Sequence, residues 1–174
     1  MKFSLQQSLL ILERTPFILK KLLSGLDEDW ILSNEGPDTW SPFDVIGHLL
    51  HGDRTDWLVR VKIILGPEPK PDFKPFDRFA QYEESRGIAL KTLLNDFEQV
   101  RKINLEELKS FNLQESDLSK TGFHPKFGTV TLKNLIATWA IHDLSHLAQI
   151  SRVMARQYKE EVGPWLEYMP ILQN

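Results

Sequence analysis

Apolar residues return along this chain every three or four positions in four long stretches, the period of an amphipathic helix. In the first, Leu9, Leu12, Phe17, Leu19, Leu22 and Leu23 supply the apolar face and Ser4 is placed to cap the start. Thr15-Pro16 falls inside it, where the proline either kinks the helix or begins a new segment capped by Thr15. The second is announced by Ser41-Pro42-Phe43-Asp44, with Ser41 as N-cap, Pro42 where a missing N–H costs nothing, and Asp44 near the positive end of the dipole. It carries Val45, Leu49 and Leu58 on one stripe and runs to about Leu65, stopping at Gly66-Pro67. The third begins at Ser85 or at the Asp77 turn, recurs through Leu90, Leu93, Leu94, Phe97, Val100, Ile103, Leu105 and Leu108, and ends near Phe111. A polar connection through Gly122, His124-Pro125 and Gly128 leads to the fourth, capped by Thr131, with an inward face of Leu135, Thr138 or Trp139, His142, His146, Ile150 and Val153. Gly163-Pro164 ends the regular structure.

No segment of convincing length alternates with period two, and there is no internal repeat or low-complexity tract. The pattern predicts an all-α protein, a four-helix bundle of antiparallel type with long crossover loops, built as one domain over residues 1–174. The segment Pro67–Pro75 carries prolines at 67, 69, 71 and 75, which excludes helix and central strand and leaves a loop long enough to cover a site.

Composition narrows the chemistry. The 174 residues include no cysteine, so disulfides, thiolate metal knots and a cysteine nucleophile are excluded, and any metal must be held by nitrogen and oxygen. A net charge of −3 without a basic run argues against a nucleic-acid surface. With no signal-peptide pattern and no apolar run approaching about 18 residues, the chain reads as soluble and cytoplasmic, without a membrane partner.

Five histidines then become the centre of interest. His142-Asp143-Leu144-Ser145-His146 places two imidazoles one turn apart on one helix face, about 6 Å of rise and roughly 40° of rotation between them. The pair alone is weak, but both histidines share the stripe of Leu135, Ile150 and Val153, and His48 shares that of Val45, Leu49 and Leu58. Two core-facing strips thus present nitrogen at mid-bundle, where bundles build metal sites. A third neutral nitrogen from His48 would leave at least one coordination position open, as in catalytic sites. Asp143 follows His142 by one residue and points about 100° away on this reading, so the glutamate base of His-Glu-x-x-His proteases is missing, and so are paired Glu-x-x-His motifs.

Trp40-Ser41-Pro42-Phe43-Asp44-Val45-Ile46-Gly47-His48-Leu49, the loop Gly122-Phe123-His124-Pro125-Lys126-Phe127-Gly128, and Thr138-Trp139-Ala140-Ile141-His142-Asp143-Leu144-Ser145-His146 together resemble the DinB-like superfamily. The resemblance spans nearly the whole chain. It implies a four-helix bundle, often dimeric, whose three histidines, here His48, His142 and His146, bind a divalent metal such as zinc or nickel. It also implies a small-molecule substrate. The superfamily includes metal-dependent transferases that use low-molecular-weight thiols, mycothiol-dependent isomerases and metal-dependent hydrolases. A thiol-dependent transferase acting on a small electrophile is the leading expectation from this resemblance. A metal-dependent hydrolase and a non-catalytic metal- or small-molecule-binding bundle are the alternatives.

Other residues carry two readings each. His51 borders the site as acid, base or fourth ligand, or is solvated or capping. His124 belongs to a recurrent loop or packs a turn. Gln149 touches substrate or hydrogen-bonds across helices. Asp44 orients a ligand imidazole or caps its helix, and capping is favoured. Trp40, Trp57, Trp139 and Trp165 are expected as core and interface anchors rather than a stacking platform.

Overall fold

The computed structural model describes residues 1–68 and 71–173. Helices α1 (Leu5–Leu23), α2 (Glu28–Leu32), α3 (Pro42–Thr55), α4 (Trp57–Leu65), α5 (Gln81–Glu84), α6 (Leu90–Ser110) and α7 (Leu132–Arg156) are joined by one antiparallel hairpin, β1 (Thr121–His124) with β2 (Gly128–Thr131). The expected four-helix bundle is formed by α1, the α3–α4 pair, α6 and α7. Both α1 and α3 pack on α6 and α7, which puts α1 and α3 on a diagonal.

Ion pairs between the helices give their directions. Lys20 meets Glu98 while Lys109 meets Glu13, so α1 and α6 run antiparallel. Arg54 meets Asp96 and Lys62 meets Glu107, so α3–α4 and α6 run parallel. Neighbours are therefore not all antiparallel as expected. A parallel neighbour requires the chain to return to its starting end, and the long connection over residues 66–89 does this.

The caps behave as the sequence suggests. Ser4 Oγ accepts the Gln7 N–H at 3.3 Å, and Ser41 and Thr131 each form a reciprocal capping box, with Asp44 and Asn134 respectively. Pro16 stays inside an unbroken α1. Its ring leaves the Leu12 carbonyl without the usual donor four residues on, and the Arg101 guanidinium supplies one at 3.0 Å.

Two apolar clusters fill the bundle. One collects Leu9 and Leu12 of α1, Trp57 to Ile64 of α4, Leu105 and Leu108 of α6, and Leu132 to Ala140 of α7. The other collects Leu19 and Leu23, Val45 to Leu50, Leu93 to Phe97, and Ile150. On every long helix the inward-facing residues between these sets are mostly polar: Thr15 beside Pro16, Asp53, Arg101 and Asn104, and His142, Asp143 and His146. The core is thus cut by a polar layer. Each fully buried Leu or Phe in the two halves contributes roughly 1.5–3 kcal/mol, which lets the layer between them carry function.

Several expectations are corrected. The second long helix does not run unbroken to Leu65 but breaks at Asp56 (φ −122°, ψ −70°), where the Asp53 carbonyl receives the Asn104 side-chain N–H at 2.7 Å. The third starts at Leu90, because Gly87 in a left-handed conformation (φ +74°) separates it from the short α5. The hairpin was read as a polar connection, since four-residue strands are too short to show alternation. Phe17 and Ile103 lie on exposed edges of their stripes rather than in the core, and Trp165 is 66 % exposed rather than an anchor. Short 3₁₀ turns at Gly163–Tyr168 and Pro170–Leu172 continue past Gly163-Pro164.

The proline-rich segment is pinned where it is described; Pro69 lies outside the described residues. Phe123 N–H donates to the Pro71 carbonyl and Phe73 N–H to the Phe123 carbonyl, both at 2.9 Å. Gly122 makes this docking feasible, because a Cβ there would lie 2.6 Å from the Phe73 ring. No described helix is long and apolar enough to cross a membrane.

Candidate metal centre

His48 comes from the middle of α3, His142 and His146 from successive turns of α7, and the polar layer brings the three together. His142 Nε2 lies 3.1 Å from His48 Nε2 and 3.1 Å from His146 Nε2. In a tetrahedral centre with bonds of about 2.0–2.1 Å, nitrogens stand about 3.3 Å apart, close to this spacing. One His142 nitrogen cannot donate to both neighbours, so hydrogen bonding alone does not satisfy all three lone-pair sites. A shared cation does.

The surroundings favour neutral rings. Burial above all pushes His48 down to about 3 and His142 down to about 2, and the nearby His146 adds to both. Burial also lowers His146, opposed by its bond to Gln149. That bond runs from His146 Nδ1–H to Gln149 Oε1 at 2.8 Å, and it leaves Nε2 as the lone-pair nitrogen facing the cluster. Gln149 therefore holds a ring on its own helix rather than bridging helices. The Nδ1 atoms of His48 and His142 are buried and have no partner among the described residues.

Aromatic rings wall the centre. Trp40 lies 4.6 Å from the His48 ring and stacks over His146 at 6.2 Å, Phe76 meets His48 edge-on at 5.6 Å, and Trp57 sits 5.0 Å from His142. Gly47 admits the neighbouring segment, since a Cβ there would come within 2.4 Å of Ser85 Oγ.

Two cavities meet at the cluster. The first, about 310 Å³, is mainly apolar and is lined by Trp57, Phe73, Phe76, Phe127 and Leu135, with Asp56, Arg60, Arg78 and His124 among its polar walls. The second, about 370 Å³, is polar and contains Glu35, Asp38, Gln149 and Arg152. His48 and Arg78 line both.

Comparison with known proteins agrees with the architecture. Residues 11–150, which include all three clustered histidines, match the sequence profile of the DinB superfamily. This chain belongs to the DinB superfamily. Among its relatives, a Bacillus cereus (strain G9842) protein named "Putative metal-dependent hydrolase" is 26% identical over 148 residues, covering 83% of this chain and 82% of the other. An Oceanobacillus iheyensis protein with the same description is 24% identical over 147 residues, covering 84% and 83%. The fold matches YfiT from Bacillus subtilis, described as "a probable metal-dependent hydrolase with an unusual four-helix bundle topology", with a TM-score of 0.77, 20% identity and 90% of each chain covered.

Within this DinB-superfamily fold the other candidates separate. His51 is buried outside the cluster, its Nδ1 3.0 Å from both Glu84 carboxylate oxygens, and ties α5 to α3. His124 Nδ1 accepts the Lys126 and Phe127 N–H groups at 3.1 and 3.3 Å, the turn-packing role, while its ring also faces the first cavity. Asp44 caps α3. Trp40, Trp57 and Trp139 are buried anchors.

The sequence reading missed a neighbouring cluster, in which Asp143 is fully buried and faces Arg101. All five N–H donors of Arg101 are used, two on Asp53, two on Asp143 and one on the Leu12 carbonyl. The two carboxylates push the Arg101 pKa up against burial, while burial holds Asp53 above the usual carboxylate range against the pull of Arg101. An arginine on the α6 stripe between Phe97 and Leu105 was the available signal.

Proposed function

We propose that this protein is a metal-dependent hydrolase in which His48, His142 and His146 hold one divalent cation, zinc or nickel, beside a cavity for a small electrophilic substrate. The convergence of three neutral Nε2 atoms at the mouth of an aromatic cavity carries this reading. The names of the relatives support it. When bound, the cation supplies Lewis acidity and lowers the pKa of a nucleophile brought to it. Gln149 fixes the His146 tautomer, and Trp40, Phe76 and Trp57 exclude bulk water from the rings. Asp56 stands on the cavity wall with its carboxyl pushed up to about 6 by burial, against the pull of Arg60 and His51, and is the group placed to take up a proton. The test is metal analysis of protein purified without an affinity tag, followed by turnover of a panel of activated esters and amides. Stoichiometric metal with hydrolysis lost on chelation is expected, and folded protein that takes up no added zinc or nickel overturns the reading.

Thiol transfer is the second reading, supported by the second cavity. A centre approached from two sides has room for a co-substrate, and a chain without cysteine must receive its sulfur from a small molecule. Millimolar thiol added to cobalt-substituted protein separates the readings. A sulfur-to-metal charge-transfer band favours transfer, and a spectrum unmoved by thiol but altered by carboxylate favours hydrolysis.

A further inference from the structure

Arg78 differs from the other cationic side chains on the two cavity walls. Arg60 is paired with Asp56 at 2.7 Å and Arg152 with Glu35 at 2.7 Å. Arg78 has no ion pair and no hydrogen bond among the described residues, although it lines both cavities. Its guanidinium instead lies over two ring faces, Trp40 at 5.3 Å and Phe79 at 5.1 Å. Ring faces hold a guanidinium without consuming its in-plane N–H donors, so the fork that reads carboxylates stays available. The same Trp40 ring stacks on His146, so the cation and the histidine cluster share one rigid support.

The charges of the cavity walls point the same way. In the apolar cavity Asp56 and Arg60 are paired at 2.7 Å, and Arg78 is the cationic side chain left over, so the wall carries excess positive charge even before a cation is bound. The other charged lining residue without an ion pair among the described residues, Asp38, lines only the polar cavity. The rest of the first cavity's lining is mainly apolar, Trp57, Phe73, Phe76, Phe127, Val130 and Leu135, beside the uncharged polar Asn134 and Thr138 and the His124 ring. At about 310 Å³ the space lies at the small end of ligand cavities.

We propose that the substrate of this site is a small carboxylate with an apolar or aromatic body, its anionic group held by Arg78 and its body by the aromatic cavity. This deepens the hydrolase reading by naming its substrate class, and it rests on that reading for the site but not for the measurement. Arg78 is a binding residue here, in the same cavity lining as Asp56 and Arg60, which are paired with each other.

The experiment is equilibrium binding of 3-phenylpropionate and its uncharged amide, 3-phenylpropanamide, followed by tryptophan fluorescence and calorimetry. Chelated protein is measured first, so that no carboxylate can bind through metal, and zinc-loaded protein second. The carboxylate is expected to bind at least about tenfold tighter than the amide in chelated protein, about 1.4 kcal/mol. Arg78→Gln should remove that preference without changing amide binding or zinc stoichiometry, and Arg78→Lys should restore part of it. Equal binding of the two ligands, binding of neither at millimolar concentration, or a preference that survives Arg78→Gln overturns the proposal. Absence of metal uptake or turnover would instead count against the hydrolase reading and leaves the chelated-protein measurement interpretable.

Discussion

Two buried clusters lie side by side in the polar layer, and α7 contributes consecutive residues to them. Asp143 joins the Asp53–Arg101 pair, in which every guanidinium N–H meets an oxygen. His142, one position earlier, joins a cluster whose nitrogens converge on one another and in which two Nδ1 atoms lack partners among the described residues. The first cluster is closed and complementary, and the second is open and has capacity for a ligand. Buried polar groups that satisfy each other specify structure, whereas buried donor atoms aimed at a common point specify binding. Breaking the two should therefore have opposite consequences.

The largest effect is expected from Arg101→Met. Removing the shared cation leaves two carboxylates buried without compensation, a loss on the order of 3–5 kcal/mol, read as a fall in the urea midpoint. Combining it with Asp53→Asn and Asp143→Asn should recover much of that loss, because the uncompensated charges are gone. If Arg101→Met unfolds at the same urea concentration as the unaltered protein, the cluster is not the structural one.

His142→Ala should do the reverse, leaving the metal-free urea midpoint within about 1 kcal/mol while lowering metal affinity by more than the 10–100-fold an outer partner carries. Metal titration followed by cobalt absorbance checks this. His48→Ala and His146→Ala should match it, and His51→Ala and His124→Ala should spare binding. Loss of metal in His51→Ala equal to that in His48→Ala would break the three-histidine assignment.

Gln149→Ala sharpens the same side of the comparison with a smaller change. Losing the acceptor that fixes the His146 tautomer should weaken metal binding by about 10–100-fold without abolishing it. Unchanged affinity would show that the tautomer is set elsewhere.

The broadest effect, spread over several pH units, is the pH dependence of metal-free protein. His48 and His142 have folded-state pKa values depressed to about 3 and about 2, so below the unfolded value of about 6.5 the unfolded chain binds more protons. Their contribution to stability is present above pH of about 6.5 and lost as pH falls towards 3. Urea midpoints across that range should decline, and the decline should be shallower in His48→Ala. A flat profile would mean that the rings are more open to solvent than the packing indicates.

The sequence by itself determined the local structure. Spacings of three and four marked the long helices, Ser41-Pro42 and Thr131 marked where two of them start, and His142 and His146 had to share one face because four residues are close to one turn. It also marked His48 as core-facing, and the family resemblance pointed to the same three residues. Only the tertiary structure decided how the faces meet. His48 reaches His142 across 94 positions of sequence because α3 and α7 pack in one particular register, and a local period carries no such information. Packing likewise decided that Asp143 faces Arg101 and that Phe17 and Ile103 lie outside the core. Docking of the proline-rich segment on β1 decided that Phe76 and Arg78 would reach the site. The reason is physical: helix periodicity is a property of neighbouring residues, while partner choice inside a bundle is set by which complete faces exclude water together.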